Sequence, residues 1–369
     1  MAPERIGGYR IVDLIAPGGM GEVYLAVSPT ADRVALKLIK PELVEDESIR
    51  ARFAAEVDSL KQVYGSLVAR LEDADPYADP PWLAVDYVPG ATLRQHVDAH
   101  GPLPLPTAAM IAALLAEGLA KVHQQGLLHR DLKPQNVILG PAGPRLIDFG
   151  LAVLIGREHG QTRPGEMVGT PAYMAPEQID SDGELTSAVD VYGLAATVVY
   201  ALTGHHLYPQ AHGWHLVRRI ADPADLPDLT GLPAELTQLI GAMLAFDSTA
   251  RPSLAAVKDR MLQVATATSG SSVADLRRTV VETTFDASRE LSIPPELTDP
   301  VVDPERGIFG DPEPEPPSTD PGPSGAEQPA PVDPAPTPVD PIPPAPRPEV
   351  SWLVEQVRQR YARRPTLLS

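Results

Sequence analysis

The chain has 369 residues, 43 Pro, no Cys and a formal charge of -19. The lack of Cys excludes disulfides, thiolate metal sites and a cysteine nucleophile, and the acidity argues against nucleic acid, whose phosphates need a basic face. Twenty of the Pro fall between Pro294 and Pro348, where 11 acidic residues stand against Arg306 and Arg347; such a segment cannot bury enough apolar surface to offset the entropy of ordering it, which leaves the folded part to the N-terminal side.

The start, "MAPERIGGYR", lacks the apolar core of a signal peptide, and no run of about 18 apolar residues follows anywhere. A cytoplasmic protein with no membrane span is expected. From Tyr9 to Val88 the chain shows short β-branched or alternating runs, "YRIVDLI", "GEVYLAV", "RVALKLI", "SLVARL" and "PWLAVDYV", broken by Gly and Pro clusters. One helical pattern, about Asp46 to Val63, interrupts them. After Val88 the period becomes helical, most clearly in "TAAMIAALLAEGLAKVHQQG", where Ile111, Leu114, Leu115, Leu119 and Val122 share a face. Thr107 is its expected N-cap and Gly126 its stop. Helices are also expected near 186–203, 234–245 and 253–265, with a shorter one around "VADLRRTVVETTF". A β-rich lobe joined to a helical lobe implies a cleft between them.

Four stretches carry chemistry. In "APGGMGEVYLA", Gly18, Gly19 and Gly21 remove side chains where a hairpin could bring backbone N–H groups to phosphate oxygens; a plain Gly-rich turn is the alternative. "VALK" sets Lys37 in an apolar strand, where an ammonium needs a partner or a ligand unless it snorkels at an edge. Glu56 on the following helix is preferred as its counter-charge over Glu45 and Glu47, which sit at the acidic start of that helix. In "HRDLKPQNVIL", Asp131 could accept a proton from an attacking hydroxyl, and Lys133 could neutralise charge on a phosphoryl group in flight. Asn136, with Asp148 of "LIDFGLA", supplies the hard oxygen ligands that Mg²⁺ prefers. Singly, each Asp could be a turn or cap residue; the joint order and spacing leave little room for that.

With "GTPAYMAPE" following, the set resembles the eukaryotic-like Ser/Thr protein kinases of bacteria, in an actinobacterial style, over about residues 9–265. The resemblance implies an α+β, bilobal protein kinase fold and ATP as phosphoryl donor. Nucleotide contacts are implied for Ala16, Gly18, Gly19, Met20, Gly21, Val23, Ala35, Lys37, Glu56, Val85, Asp86 and Val88. Of these, Lys37 would hold the α- and β-phosphates and pair with Glu56, Val85 would guard the back of the pocket, and 86–88 would be the adenine-binding hinge. Asp131 becomes the catalytic base, aided by Lys133 and by Thr170, while Asn136 and Asp148 become the ligands of Mg²⁺, with Mn²⁺ as substitute. Glu177, Asp190 and Arg251 would be structural. Ala16 departs from the family, standing where a first loop Gly is usual.

Between Gly150 and Gly169 the only hydroxyl is Thr162, expected to be a regulatory autophosphorylation site with Arg130 receiving its phosphate. The alternatives, a pseudokinase scaffold and a small-molecule kinase, conflict with the complete set of five catalytic residues and with "GTPAYMAPE" respectively.

The expected organisation is an N-lobe with hinge at 1–88, a C-lobe at 89–265, a polar linker at 266–293, a Pro/Asp/Glu-rich disordered tether at 294–350 and a basic amphipathic end at 351–369. Fully extended, the tether could reach roughly 170 Å. Leu353, Val357 and Tyr361 share a stripe that suggests a helix docking on a partner, with a frayed basic end as the alternative, and Thr279, Thr283 and Thr284 are candidate phosphoacceptors for a phosphothreonine-binding domain. Protein substrates are the implied partners, and dimerisation stays open.

Overall fold

The computed structural model describes residues 4–18, 21–148, 171–179, 185–209 and 211–291. All belong to the first of the two units into which the chain divides, 1–308 and 309–369. The tether and the basic end lie outside the described residues.

Among the described residues, six strands make an antiparallel sheet: β1 (Arg5–Ile6), β2 (Tyr9–Gly18), β3 (Gly21–Val27), β4 (Arg33–Ile39), β5 (Leu71–Asp75) and β6 (Trp82–Asp86), in the order β1-β2-β3-β4-β6-β5. Helix α1 (Glu47–Leu60) crosses between β4 and β5, its first turn capped by the Asp46 carboxylate on the Ser48 N–H. Ile49, Phe53, Val57 and Leu60 form its buried stripe, the spacing that turns one helical face to a core.

The second lobe opens with β7 (Ala91–Thr92) and α2 (Leu93–His100), then α3 (Leu105–Gln124), β8 (Val137–Gly140) and β9 (Gly143–Leu146). It continues with α4 (Pro176–Ile179), α5 (Ala188–Thr203), α6 (Gly213–Ile220), α7 (Ala234–Met243), α8 (Leu254–Ser269) and α9 (Val273–Thr284). Helix α3 is the axis of this lobe, packing against α5, α8, α9 and β9. It is long and apolar enough to cross a bilayer, yet 72% of its apolar window is buried inside the fold. Such a helix reads as a core element.

Three expectations need correction. Thr107 is not the N-cap of α3; the helix begins at Leu105 after Pro104, with a further Pro in its first turn, where a fixed φ is already helical. "SLVARL" is not a strand along its length: Val68 makes an isolated bridge to Leu146, and the strand proper runs Leu71–Asp75. Helix α8 continues to Ser269, stopped by Gly270 in the left-handed conformation.

Candidate active site

The loop between α3 and β8 is fixed from below by Asp190, near the start of α5 and 1% exposed. Its carboxylate accepts the backbone N–H groups of His129 (2.8 Å) and Arg130 (2.7 Å) and a bond from His123 Nε2 (2.7 Å). Arg130 is thereby held at φ 60°, a conformation that side chains other than glycine's seldom adopt and that surrounding contacts must impose. Gly193, one turn along α5, lets the helix approach: a Cβ there would lie 3.2 Å from the Leu132 backbone oxygen. Gln178 of α4 completes the anchoring by donating to the Arg130 carbonyl at 2.8 Å.

On this scaffold the Asp131 carboxylate accepts from Lys133 Nζ at 2.6 Å and from the Asn136 amide at 3.2 Å, and the same amide holds the Asp131 carbonyl at 2.8 Å. Asn136 is buried. The loop therefore presents one carboxylate with its orientation set by two donors, and Lys133 keeps a positive charge beside it. Asp148, at the end of the β9 segment, sits at φ 58°.

Four partly buried charges occupy the floor of the cleft, and their pairing differs from expectation. Lys37 Nζ lies 2.6 Å from Asp148 Oδ1, and Glu56 Oε1 lies 2.7 Å from the Arg130 guanidinium. The expected Lys37–Glu56 pair is not formed in this conformation. The physical reason is that each charge must be compensated once it leaves bulk water, and two pairings of these four groups satisfy that condition. Burial raises the Glu56 pKa against the lowering effect of Arg130. Burial pushes the Asp148 carboxyl up too, but Lys37 outweighs it and holds the group below the ordinary Asp range.

Around this floor, β2 and β3 form the roof. Gly21 has φ 155° and a Cβ on it would sit 1.6 Å from the Leu38 carbonyl oxygen, so the close β3–β4 approach alone demands glycine there. Ala16 is exposed and pairs with Val23 in the strand register, outside the left-handed region, so its methyl fits without strain. Ala35 and Val85 face each other across β4 and β6. Val85 also lines a small cleft with Leu60, Val63, Ala69, Leu71, Leu83 and Asp148. In the hinge, Asp86 accepts from Arg145 of β9 at 3.2 Å, tying the lobes together, and Val88 is buried.

Below the loop, Arg251 and Glu177 make a two-pronged ion pair at 2.5 and 2.8 Å. Asp190 is drawn up by its burial, yet the His123 bond and the neighbouring His129 hold its pKa below the ordinary value. A depressed carboxylate stabilises the fold above its unfolded pKa of about 3.9, and that contribution is lost as pH falls through the folded value. Asp190→Asn is expected to cost about 1–3 kcal/mol at neutral pH and to flatten the loss of stability below about pH 4. Urea unfolding of both proteins at pH 7 and pH 3 checks this.

Gly19, Met20, Thr162 and Thr170 lie outside the described residues. Sequence reasoning missed His123 and Gln178, both of which hold the catalytic loop. His123 follows Leu119 by four positions, so a polar group beside an apolar stripe was the available signal; Gln178 left none.

The comparisons with known proteins agree with this geometry. Residues 9–262 match the family model described as protein kinase domain. The serine/threonine-protein kinase AfsK of Streptomyces coelicolor is 43% identical over 252 residues, covering 68% of this chain and 31% of AfsK. PknK of Mycobacterium tuberculosis, also a serine/threonine-protein kinase, is 34% identical over 257 residues, covering 68% and 23%. The chain thus spans a third or less of the length of these relatives. The crystal structure of the M. tuberculosis PknI kinase domain aligns with a TM-score of 0.59 at 27% identity, covering 72% of this chain and 99% of that one. Lobes, cleft, ordered motifs and relatives converge: this chain belongs to the protein kinase family, among its bacterial eukaryotic-like serine/threonine members.

Proposed function

We propose that the chain transfers the γ-phosphoryl group of ATP to Ser and Thr hydroxyls of proteins, including its own Thr162, and does so in the cytoplasm as part of a signalling pathway. The observation that carries this reading is the Asp131 carboxylate, oriented by Lys133 and Asn136 on a loop pinned to buried Asp190. Asp131 takes the proton of the attacking hydroxyl, and Lys133 faces the charge that spreads over the transferring group. Lys37 leaves Asp148 to hold the α- and β-phosphates, while 86–88 take the adenine and Thr170 helps to orient Asp131. A scaffold without catalysis gains no support, since Lys37, Glu56, Asp131, Asn136 and Asp148 are all present.

The donor set fits Mg²⁺, which is bound through one or two carboxylates plus phosphates rather than by an all-protein cage. The Asn136 nitrogen is committed to Asp131, which leaves the amide oxygen for the metal, and the Asp148 carboxylate, now on Lys37, would be the second ligand once Lys37 turns to the phosphates. Bound there, Mg²⁺ or Mn²⁺ supplies charge neutralisation of the phosphates.

The two observed pairs suggest how activity is switched. A phosphate on Thr162 would compete with Glu56 for Arg130, and the released Glu56 would pair with Lys37 in place of Asp148. Glu56→Gln is expected to lower kcat/KM for ATP by roughly 10- to 100-fold, the worth of about one charge-assisted hydrogen bond. Incubation with Mg²⁺ and labelled ATP, followed by phosphopeptide mapping, should find phosphothreonine at 162. Full activity with Thr162 unmodified would end the regulatory part of the reading, and no transfer to any Ser or Thr would end the whole.

Thr284 is not a surface acceptor as the sequence led one to expect: it is buried, and its hydroxyl donates to the Val280 carbonyl at 2.7 Å. Thr279 and Thr283 are exposed and keep that role, with a phosphothreonine-binding domain as the partner class. The basic end at 351–369 stays a proposed docking segment.

A further inference from the structure

The chain beyond the family match does not leave the domain at residue 262. Ser272 caps α9 by accepting the Asp275 N–H at 3.2 Å, and Leu276, Val280 and Thr284, at successive i+4 positions, are all buried. This face lies against α3, α8, β8 and β9, so α9 is fastened to the helical lobe. From Phe285 the chain turns extended, and Asp286 caps a short turn at Ala287–Arg289. That turn lies near α2, where Arg289 adds to burial in lowering the His96 pKa.

The next two residues reach the other lobe. Glu290 makes an ion pair with Arg33, the first residue of β4. The Leu291 N–H donates to the Tyr87 hydroxyl at 3.2 Å. The Arg33 guanidinium also stands over the Tyr87 ring, 5.5 Å from its centroid, a cation–π distance. Tyr87 lies within the hinge, between Asp86 and Val88, and Val34, beside Arg33, pairs with Asp86 in the β4–β6 register. A segment anchored on the helical lobe thus grips the hinge and the strand beside it from outside.

We propose that residues 272–291 form a strap across the hinge, with Glu290 and Arg33 as positioning residues that fix the lobe angle at which the nucleotide is bound. The proposal rests on the reading of 86–88 as the adenine site. Beside the covalent hinge and the Asp86–Arg145 bond, the strap adds a further connection on the outer side of the hinge, from α9 to β4. Both partners of the ion pair are about two-fifths exposed, so the pair alone carries a modest effect. That effect falls on nucleotide affinity, because Arg33 and Tyr87 touch the hinge and neither touches Asp131.

The test uses the full chain with Mg²⁺ and a fluorescent ATP analogue, comparing Arg33→Glu, Glu290→Arg and the double charge swap. Each single reversal is expected to weaken analogue binding about three- to fivefold, to raise the KM for ATP in proportion and to leave kcat unchanged at saturating ATP. The swap should return affinity to within about twofold of the wild type. Glu290→Gln, a milder change, serves if a reversal lowers the thermal midpoint. Unchanged affinity in the single variants overturns the strap, as does a swap no better than the singles. A wild type that binds no analogue overturns the adenine-site reading instead, and the strap with it.

Discussion

Asp131→Asn is expected to slow phosphoryl transfer by about 100- to 10,000-fold, the usual worth of a positioned general base, with nucleotide affinity within about twofold of the wild type. The carboxylate faces two donors, Lys133 Nζ at 2.6 Å and the Asn136 amide at 3.2 Å. Both donors meet the same oxygen, Oδ2, so an amide that places its oxygen there keeps both bonds, while its NH₂ takes the place of Oδ1 and cannot accept a proton. The loop backbone should not collapse, because its fixing points are elsewhere: Asp190 holds the N–H groups of residues 129 and 130, and Gln178 holds the Arg130 carbonyl. Rapid-quench measurement of a single turnover, beside analogue binding, separates the two quantities. A loss in affinity equal to the loss in rate would mean that Asp131 serves ground-state binding and not the transition state. Asp131→Ala guards against a misread amide. It should match the Asn variant in rate if proton acceptance is the lost function.

Elements with one strong local signal were legible in the sequence. The strands β2, β3, β4 and β6 alternate or run β-branched, and α1 announces itself by the Asp46 cap and a stripe at helical spacing. Strand β5 was hidden because "LEDAD" carries three carboxylates and buries little besides Leu71. Its apolar neighbours at 67–69 instead plug onto β9, where the Ala69 N–H donates to the Leu146 carbonyl at 2.9 Å. Helix α2 was readable and overlooked: Thr92 and Gln95 form a reciprocal capping box, a signature spaced as T-x-x-Q. The proposed catalytic residues were assigned through motif order, and Asp131, Lys133 and Asn136 do lie together on one loop. The choice of partner among Lys37, Glu56, Arg130 and Asp148 could not be read that way. These charges lie up to 111 residues apart, and more than one pairing would match their signs, so the sequence alone does not select one.

The largest expected loss of stability is at Arg251. Its side chain is fully buried, and Glu177, its partner, is 24% exposed. The guanidinium also donates to the carbonyls of Ala245 (2.8 Å) and Ala188 (2.9 Å) and stands 5.1 Å from the Tyr192 ring centroid. It therefore joins α4, the start of α5 and the turn before α8. Arg251→Met keeps the apolar stem but strands the Glu177 carboxylate and two carbonyls, at a cost of about 3 kcal/mol, the low end for breaking a buried pair because Glu177 is partly wet. For a domain of this size that corresponds to a fall of roughly 6–12 °C in Tm. Adding Glu177→Gln should recover part of the loss, since the stranded charge is removed while the two carbonyls stay unpaired. The single and double variants, compared by urea unfolding and by kcat/KM for a peptide acceptor, separate folding from function. Glu177 sits at the head of α4, directly after the "GTPAYMAP" stretch that the family uses to support its acceptor. A peptide KM that rises in Arg251→Met at a temperature where the variant is fully folded would show that this buried pair also holds the acceptor platform in place. An unchanged peptide KM would confine its role to stability.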